Sequence, residues 1–226
     1  MKKNKIRIAI IDDGINPKLL PPDVYIKHYV AHKHFIIKQC KHNYNKTKSH
    51  GTMCAGIICK YSKQIKLYSI KVKDSKKKGN IGNLVSALKL CSKRRFDVIN
   101  LSIGSCCNLD KDILFNVISK ISQKGSIIVA AHSNDGQLTY PASFENVLGV
   151  RSQISRYDYQ ICNEIVAPGR HIIRLRDELH ITDNSNSYAT AFVTSQVAEL
   201  MLKHQRKDIS FINTQIQSLL GKEVRP

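Results

Sequence analysis

From Asn184 to Leu202 the chain reads Asn-Ser-Asn-Ser-Tyr-Ala-Thr-Ala-Phe-Val-Thr-Ser-Gln-Val-Ala-Glu-Leu-Met-Leu. Residues that favour caps and turns, Asn184 through Ser187, run directly into small and apolar side chains. Charge is confined to Glu199 until Lys203, and Ala189, Ala191 and Ala198 leave room for close packing. A helix that is apolar nearly all round is a buried one, so the rest of the chain must be arranged to cover it. Ser187 falls in its first turn, where unpaired backbone N–H groups and the positive end of the helix dipole collect. That is a favourable place for a developing negative charge. An ordinary cap serine is the other reading of the same position.

What covers the helix is legible in the spacing of the remaining apolar runs. Ile6–Ile11, Gln64–Val72, Asp97–Gly104 and Gly125–Ala131 read as buried strands, with shorter ones at Asn146–Val150 and Glu164–Val166. Helical spacing covers His50–Ile58, Ile81–Lys93 and Leu109–Lys124, while residues 15–49 read as surface loops around one short strand. Strand and helix in alternation imply right-handed crossovers and an α/β fold: a mostly parallel central sheet with helices on both faces. The 226 residues carry no repeat and no linker, so residues 1–226 read as a single domain. In such sheets the functional groups gather at the carboxyl ends of the strands, which is where Asp12, Ser102–Gly104 and Asn134 fall.

Charge narrows the partners. Lys and Arg number 36 against 17 Asp and Glu, a net charge of +19. A balance of that kind attracts acidic partners, although a lysine-rich proteome gives the same excess by drift. Aromatic residues are only 7%, Trp is absent and no nucleic-acid-binding motif occurs, so no nucleic acid partner is expected. Seven cysteines, three of them (Cys54, Cys59, Cys91) in apolar helical contexts, read as reduced thiols. The basic start Met1-Lys2-Lys3 leads into a short run that contains Arg7 and ends in Asp12-Asp13, which is a strand and not a leader. With no membrane span either, the expected location is cytoplasmic.

In order, the chain carries Ile10-Ile11-Asp12-Asp13-Gly14, His50-Gly51-Thr52-Met53-Cys54-Ala55-Gly56 and Asn186-Ser187-Tyr188-Ala189. Asp, His and Ser segments in that order resemble the subtilisin-like serine protease family. The resemblance extends from about residue 6 to 220, through Val98–Gly104, Val129-Ala130-Ala131 with Asn134 and Gly136, Tyr140-Pro141-Ala142 and Ala167-Pro168-Gly169. A register slid to place Val197-Ala198 on the family's Val-Ala would put Ala191 at the nucleophile. The run Ser187-Tyr188-Ala189-Thr190-Ala191-Phe192-Val193 fits the family's serine segment better.

The resemblance implies a subtilisin-like three-layer sandwich and a serine endopeptidase acting on a peptide or protein substrate. A serine hydroxyl is a poor nucleophile until an imidazole takes its proton, and the imidazole needs a carboxylate to fix its tautomer. Ser187, His50 and Asp12 are the residues so placed, with Asn134 as oxyanion donor beside the Ser187 N–H. It further implies an extended substrate between Ser102, Ile103, Gly104 and an edge near Gly79, with Asp135 at the rim of the pocket for the residue before the cut. No metal and no cofactor is called for. The sequence departs from the family at Ser185 and Ser133, where glycine is usual, at Ala191 for proline, and in Asp13, expected to be solvated. The family's calcium loop after the histidine helix is missing, since Cys59-Lys60-Tyr61-Ser62-Lys63 leads almost directly into the next strand. His28, His32, His34, Cys40 and His42 crowd one loop, but their spacing matches no standard zinc site. A basic chain with Asp135 at its pocket suits a precursor with acidic segments cut after Lys or Arg. The alternatives are a catalytically silent binding protein on the same fold and a general degradative protease.

Overall fold

Alternation along the first strand decides the layers. In β1 (Ile6–Asp12), Ile6, Ile8 and Ile10 join one buried cluster, whereas Ala9 and Ile11 join another. A strand sends successive side chains to opposite faces, so a run apolar at every position must be covered on both. The structure, a computed structural model, describes residues 5–32, 37–39, 48–72, 80–153 and 164–223. The chain continues through β2 (Tyr25–Ala31), β3 (Ile37–Gln39), α1 (His50–Tyr61), β4 (Ile65–Lys71) and α2 (Ile81–Arg94). Then follow β5 (Val98–Leu101), α3 (Lys111–Ser122), β6 (Ile127–Ala131), β7 (Leu148–Ser152) and β8 (Ile165–Ala167). A two-stranded hairpin, β9 (Ile172–Leu175) and β10 (Glu178–Ile181), precedes α4 (Asn186–His204) and α5 (Ile209–Glu223).

The main sheet has eight strands in the order β3-β2-β4-β1-β5-β6-β7-β8. Every pairing is parallel except that of β2 with β3. One face is covered by α1, α4 and α5, the other by α2 and α3. This is the α/β arrangement expected from the strand–helix rhythm. Between β4 and β5, which flank β1, the chain passes from the first face to the second. The crevice at the carboxyl end of β1 therefore lies at a topological switch point, the usual place for a site in such sheets.

Two parts of the sequence reading need correction. Residues 15–49 hold not one short strand but β2 and β3, which extend the sheet beyond β4. The signal in β2 is muted because Lys27 and His28 interrupt a run of which only Tyr29 and Ala31 become fully buried. The hairpin and α5 were not foreseen. Strands β9 and β10 alternate as a half-covered hairpin should: Ile173 and Leu175 point inward, while Ile172, Leu179 and Ile181 stay exposed. Gly56 of α1 admits the inner pair, since a Cβ there would lie 2.8 Å from Leu175 and 2.9 Å from Ile173.

Candidate active site

The carboxyl end of β1 abuts the first turn of α1. Ser49 caps the helix, accepting from the Thr52 N–H (3.2 Å) and donating to the Gly14 carbonyl (2.8 Å). Asp13 completes the cap by accepting from the N–H groups of Gly51 (2.9 Å) and His50 (3.3 Å). Asp13 is thus not solvated as expected but 2% exposed. The free N–H groups of a helix start offset part of the cost of burying that carboxylate. Burial, and then the charge of Asp12, push its pKa up against those bonds. Gly51 is required by this contact: a Cβ there would stand 2.6 Å from the Gly14 carbonyl oxygen.

With the helix start pinned, His50 Nδ1 meets Asp12 Oδ2 at 2.7 Å, and Asp12 is itself 1% exposed and accepts from the Asp13 N–H. A carboxylate only accepts, so Nδ1 carries a proton, and in the neutral ring Nε2 is the nitrogen free to act as a base. Burial pulls the imidazole pKa down, but the Cys54 sulfur and the Asp12 carboxylate outweigh it and hold it above 6.5. Beneath the ring, Cys54 Sγ lies 3.9 Å from Nδ1 and 3.8 Å from Ser102 Oγ. Ser102 accepts from Asn100, whose other amide atom accepts from Thr194 of α4 (3.2 and 3.0 Å). Asp12, His50 and Cys54 bring one potential metal-ligand atom each within 4.8 Å of one another, although the Asp12–His50 bond already occupies two of them.

The serine half is assembled from behind. Asn186, the first residue of α4, is fully buried. Its amide accepts from the Ser152 N–H (2.9 Å) and donates to the carbonyls of His132 (3.1 Å) and Ser133 (3.0 Å). Its own N–H donates to Asn134 Oδ1 at 3.0 Å. The start of α4 is thereby tied to the ends of β6 and β7. From the other side, the Gly169 N–H donates to Asn184 (3.0 Å), and Thr182 bridges Gly169 and His171. Ser187 follows Asn186, half-buried, with no hydrogen bond from its hydroxyl among the described residues. The next residue, Tyr188, stacks on the His50 ring with centroids 5.2 Å apart. The chain thus places Ser187 between a residue bonded to Asn134 and a residue packed on His50.

Asn134 is exposed, and while its Oδ1 is engaged by the Asn186 N–H its NH₂ group makes no hydrogen bond among the described residues. Asp135 is exposed as well, and its carboxylate is engaged within its own turn by Ser133 Oγ and by Gln137 (3.2 and 3.0 Å). Ser102, Ile103 and Gly104 follow β5, and no described strand pairs with them. Ser105 bridges to Tyr140, and Gly104 fits because a Cβ would stand 2.6 Å from Thr139 and the Tyr140 carbonyl. A cavity of about 470 Å³ lies beside this segment, walled by Val72, Ile81, Leu84 and Ile103. Gly79 lies outside the described residues, as do Cys40, Cys162, His34 and His42. Sequence reasoning missed Asn186; its signal was a polar amide beside the serine, at the mouth of an otherwise apolar helix.

A parallel sheet with an Asp–His pair at one carboxyl edge and a serine at the start of a buried helix beside it defines the subtilisin-like class of α/β proteins. The chain belongs to the subtilase family, whose model matches residues 3–224. It is 26% identical over 238 residues to the minor extracellular protease Epr of Bacillus subtilis, covering 97% of this chain and 35% of that protein. It is 30% identical over 173 residues to a thermophilic serine proteinase of Bacillus sp. strain AK1, covering 67% of this chain and 41% of the relative. The chain thus spans well under half the length of these two relatives. Among solved structures, the epidermin leader peptide processing serine protease EpiP of Staphylococcus aureus shares the fold at TM-score 0.73 and 20% identity, over 96% of this chain and 69% of its own. The prenylagaramide maturation protease PagA does so at 0.71 and 19%, over 90% and 78%. No helix among the described residues is long and apolar enough to cross a membrane.

Proposed function

We propose that the chain is a serine endopeptidase working through Asp12, His50 and Ser187. The observation that carries the reading is the 2.7 Å bond from buried Asp12 to His50 Nδ1, with the His50 ring stacked on the neighbour of Ser187. In this reading His50 Nε2 takes the Ser187 proton as Oγ attacks the scissile carbonyl. The developing oxyanion accepts from the Ser187 N–H, which has no partner inside the helix, and from the Asn134 NH₂ group. His50 then passes its proton to the leaving amine, and a water repeats the sequence to release the acyl group. The substrate lies extended along Ser102, Ile103 and Gly104, with a side chain in the adjoining cavity. An alkyl fluorophosphonate probe followed by peptide mapping tests the assignment. Adduct at Ser187, absent after Ser187→Ala, supports it; a folded protein that takes no label is a silent binding protein.

The finer proposal is maturation of a precursor with acidic segments in a reducing, cytoplasmic setting. Its supports are the net charge of +19 and the five described cysteines, none of them in a disulfide. Cleavage of one acidic precursor at one bond, against slow cleavage of denatured casein, separates maturation from general degradation.

A further inference from the structure

On the same face of the sheet as α1 but at the other end of that helix, a second cavity of about 600 Å³ opens. Its floor is apolar where buried Leu20, Gly56 and Cys59 line it, with exposed Pro21 and Pro22 beside them. Its walls carry five cations, Lys18, Lys60, Lys63, Arg174 and Arg176, against one lining carboxylate, Asp177. Asp23 acts on Cys59 from nearby. Lys60 and Lys63 donate to the carbonyls of Ile172 and Cys59, whereas no ion pair among the described residues neutralises any of the five. Like charges crowded around one hollow repel, and the repulsion is relieved when an anion enters. No aromatic ring lines the hollow, so it offers no stacking platform for nucleobases.

We propose that this cavity is a docking site for an acidic peptide segment, its carboxylates set against Lys18, Arg174 and Arg176 and an apolar side chain on the Leu20–Gly56 floor. Taking the segment to be part of the substrate rests on the endopeptidase reading. His50 begins α1 and Lys60 lies ten residues along it, about 15 Å away at the rise of an α-helix. Residues 51–59 lie buried between the two ends, so a substrate passes round the elements that cover the helix, and about five residues of extended chain is the least that joins the sites. Two sites on one chain convert the second contact into an intramolecular one, which raises affinity without any new contact at the cut.

Binding is measured first, by fluorescence anisotropy of labelled hexaglutamate on the full chain at about 0.1 M salt. The variant Lys18→Glu/Arg174→Glu/Arg176→Glu is compared with Lys93→Glu/Lys120→Glu/Lys124→Glu, which makes the same charge change on the opposite face. Loss of tenfold or more in affinity only in the first variant supports the site; equal loss in both means the net charge alone attracts the peptide and overturns it. Binding needs no catalysis, so this arm stands whether or not Ser187 is a nucleophile. In the second arm, kcat/KM is measured for peptides with Glu-Glu-Glu placed at spacings from about five to about fifteen residues from the cut and for matched peptides with Gly-Ser-Gly there. The first variant is expected to erase the preference for the acidic peptides and leave the neutral ones unchanged. An unchanged preference overturns the link to the substrate. Correct folding of each variant is checked by an unchanged melting curve.

Discussion

Asp12 and His50 are fixed by a buried carboxylate pair and a capped helix start, whereas Ser187 and Asn134 are fixed from behind, through backbone groups that Asn186 gathers. In the first half the working atoms are already bonded to each other at 2.7 Å, and three of the contributing residues, Asp12, Asp13 and Thr52, are shielded from water. In the second half the Ser187 hydroxyl and the Asn134 NH₂ make no hydrogen bond among the described residues, and Asn186 behind them is fully buried. The lesson is that orientation and reactivity are separated. Under the proposed mechanism, the group whose charge must be held before reaction sits in a low-dielectric, hydrogen-bonded nest, while the groups assigned to meet the substrate keep their bonding capacity unspent. Substitutions in the two halves should therefore differ in what they damage.

The largest effect is expected at the serine half. Ser187→Ala should lower peptide turnover by about 10⁴-fold or more while the melting temperature stays put, since the hydroxyl makes no hydrogen bond among the described residues. Asn134→Ala should cost about 10²–10³-fold, the scale set by subtilisin's own oxyanion donor, and should act on kcat more than KM. Near wild-type turnover in either variant would break the division of labour drawn above.

Next come the supports. Asn186→Ala strands the Ser152 N–H and the carbonyls of His132 and Ser133, at a cost of about 2–4 kcal/mol. Asp13→Ala removes two N–H partners from the start of α1 and should cost about 1–2 kcal/mol, softened by the loss of repulsion toward Asp12. Denaturant unfolding gives both figures. If Asn186→Ala proved the milder change, the serine half would be held by the Gly169–Asn184 side instead.

How much of this was open to sequence reasoning depends on what kind of force does the positioning. The layers were legible because they rest on apolar periodicity, as in Ile6–Ile11 and Ile127–Ala131, which no tertiary detail overrides. Asp12, Ser187 and Asn134 fall at strand ends and a helix start, but it was the resemblance to the subtilisin-like family that set them together with His50. Asp13 and Asn186 were hidden, since a buried polar residue looks the same in sequence as a solvated one until its backbone partners are in place. The hairpin at Ile172–Ile181 was hidden for a related reason: Arg174, Arg176 and Asp177 mask an alternation that only the contact with Gly56 makes plain.

Acid should separate the halves through their two histidines. His50 is held above 6.5, so if it is the base proposed here it is protonated as pH falls through that raised value, and kcat/KM should decline on an acid limb above the ordinary histidine range. His132 is pushed down to about 4 by burial and by Arg151, and neither ring nitrogen has a hydrogen bond. Glu164 lies 3.9 Å away but is held by Arg151 at 3.0 Å. The unfolded chain takes up that proton near 6.5 and the folded one only near 4, so stability is complete above 6.5 and drains away as pH falls toward 4. The loss should be about 2–3 kcal/mol. Urea unfolding at pH 7 and pH 4.5 measures it, and His132→Leu should flatten the dependence without moving the activity limb. A variant that shifts both would mean the two histidines titrate together.

The smallest effect expected is at Asp135, and it bears on whether the serine half also selects the substrate. The carboxylate is exposed, and its bonds to Ser133 and Gln137 hold its pKa below the usual aspartate value. Those bonds turn it into its own loop, and a solvated charge attracts a cationic side chain only weakly. Asp135→Asn should thus change the ratio of kcat/KM for Lys over Leu before the cut by no more than about threefold at 0.1 M salt, and by nothing measurable at 1 M. A tenfold loss confined to Lys peptides would show the carboxylate leaving its turn to face the pocket when substrate binds. In that event Asn134 and Asp135 would work as a pair, and the serine half would carry specificity as well as charge stabilisation. If instead Leu and Lys peptides respond alike, the side chain before the cut is chosen elsewhere in the cleft, and the role of Asp135 is to hold the turn that presents Asn134.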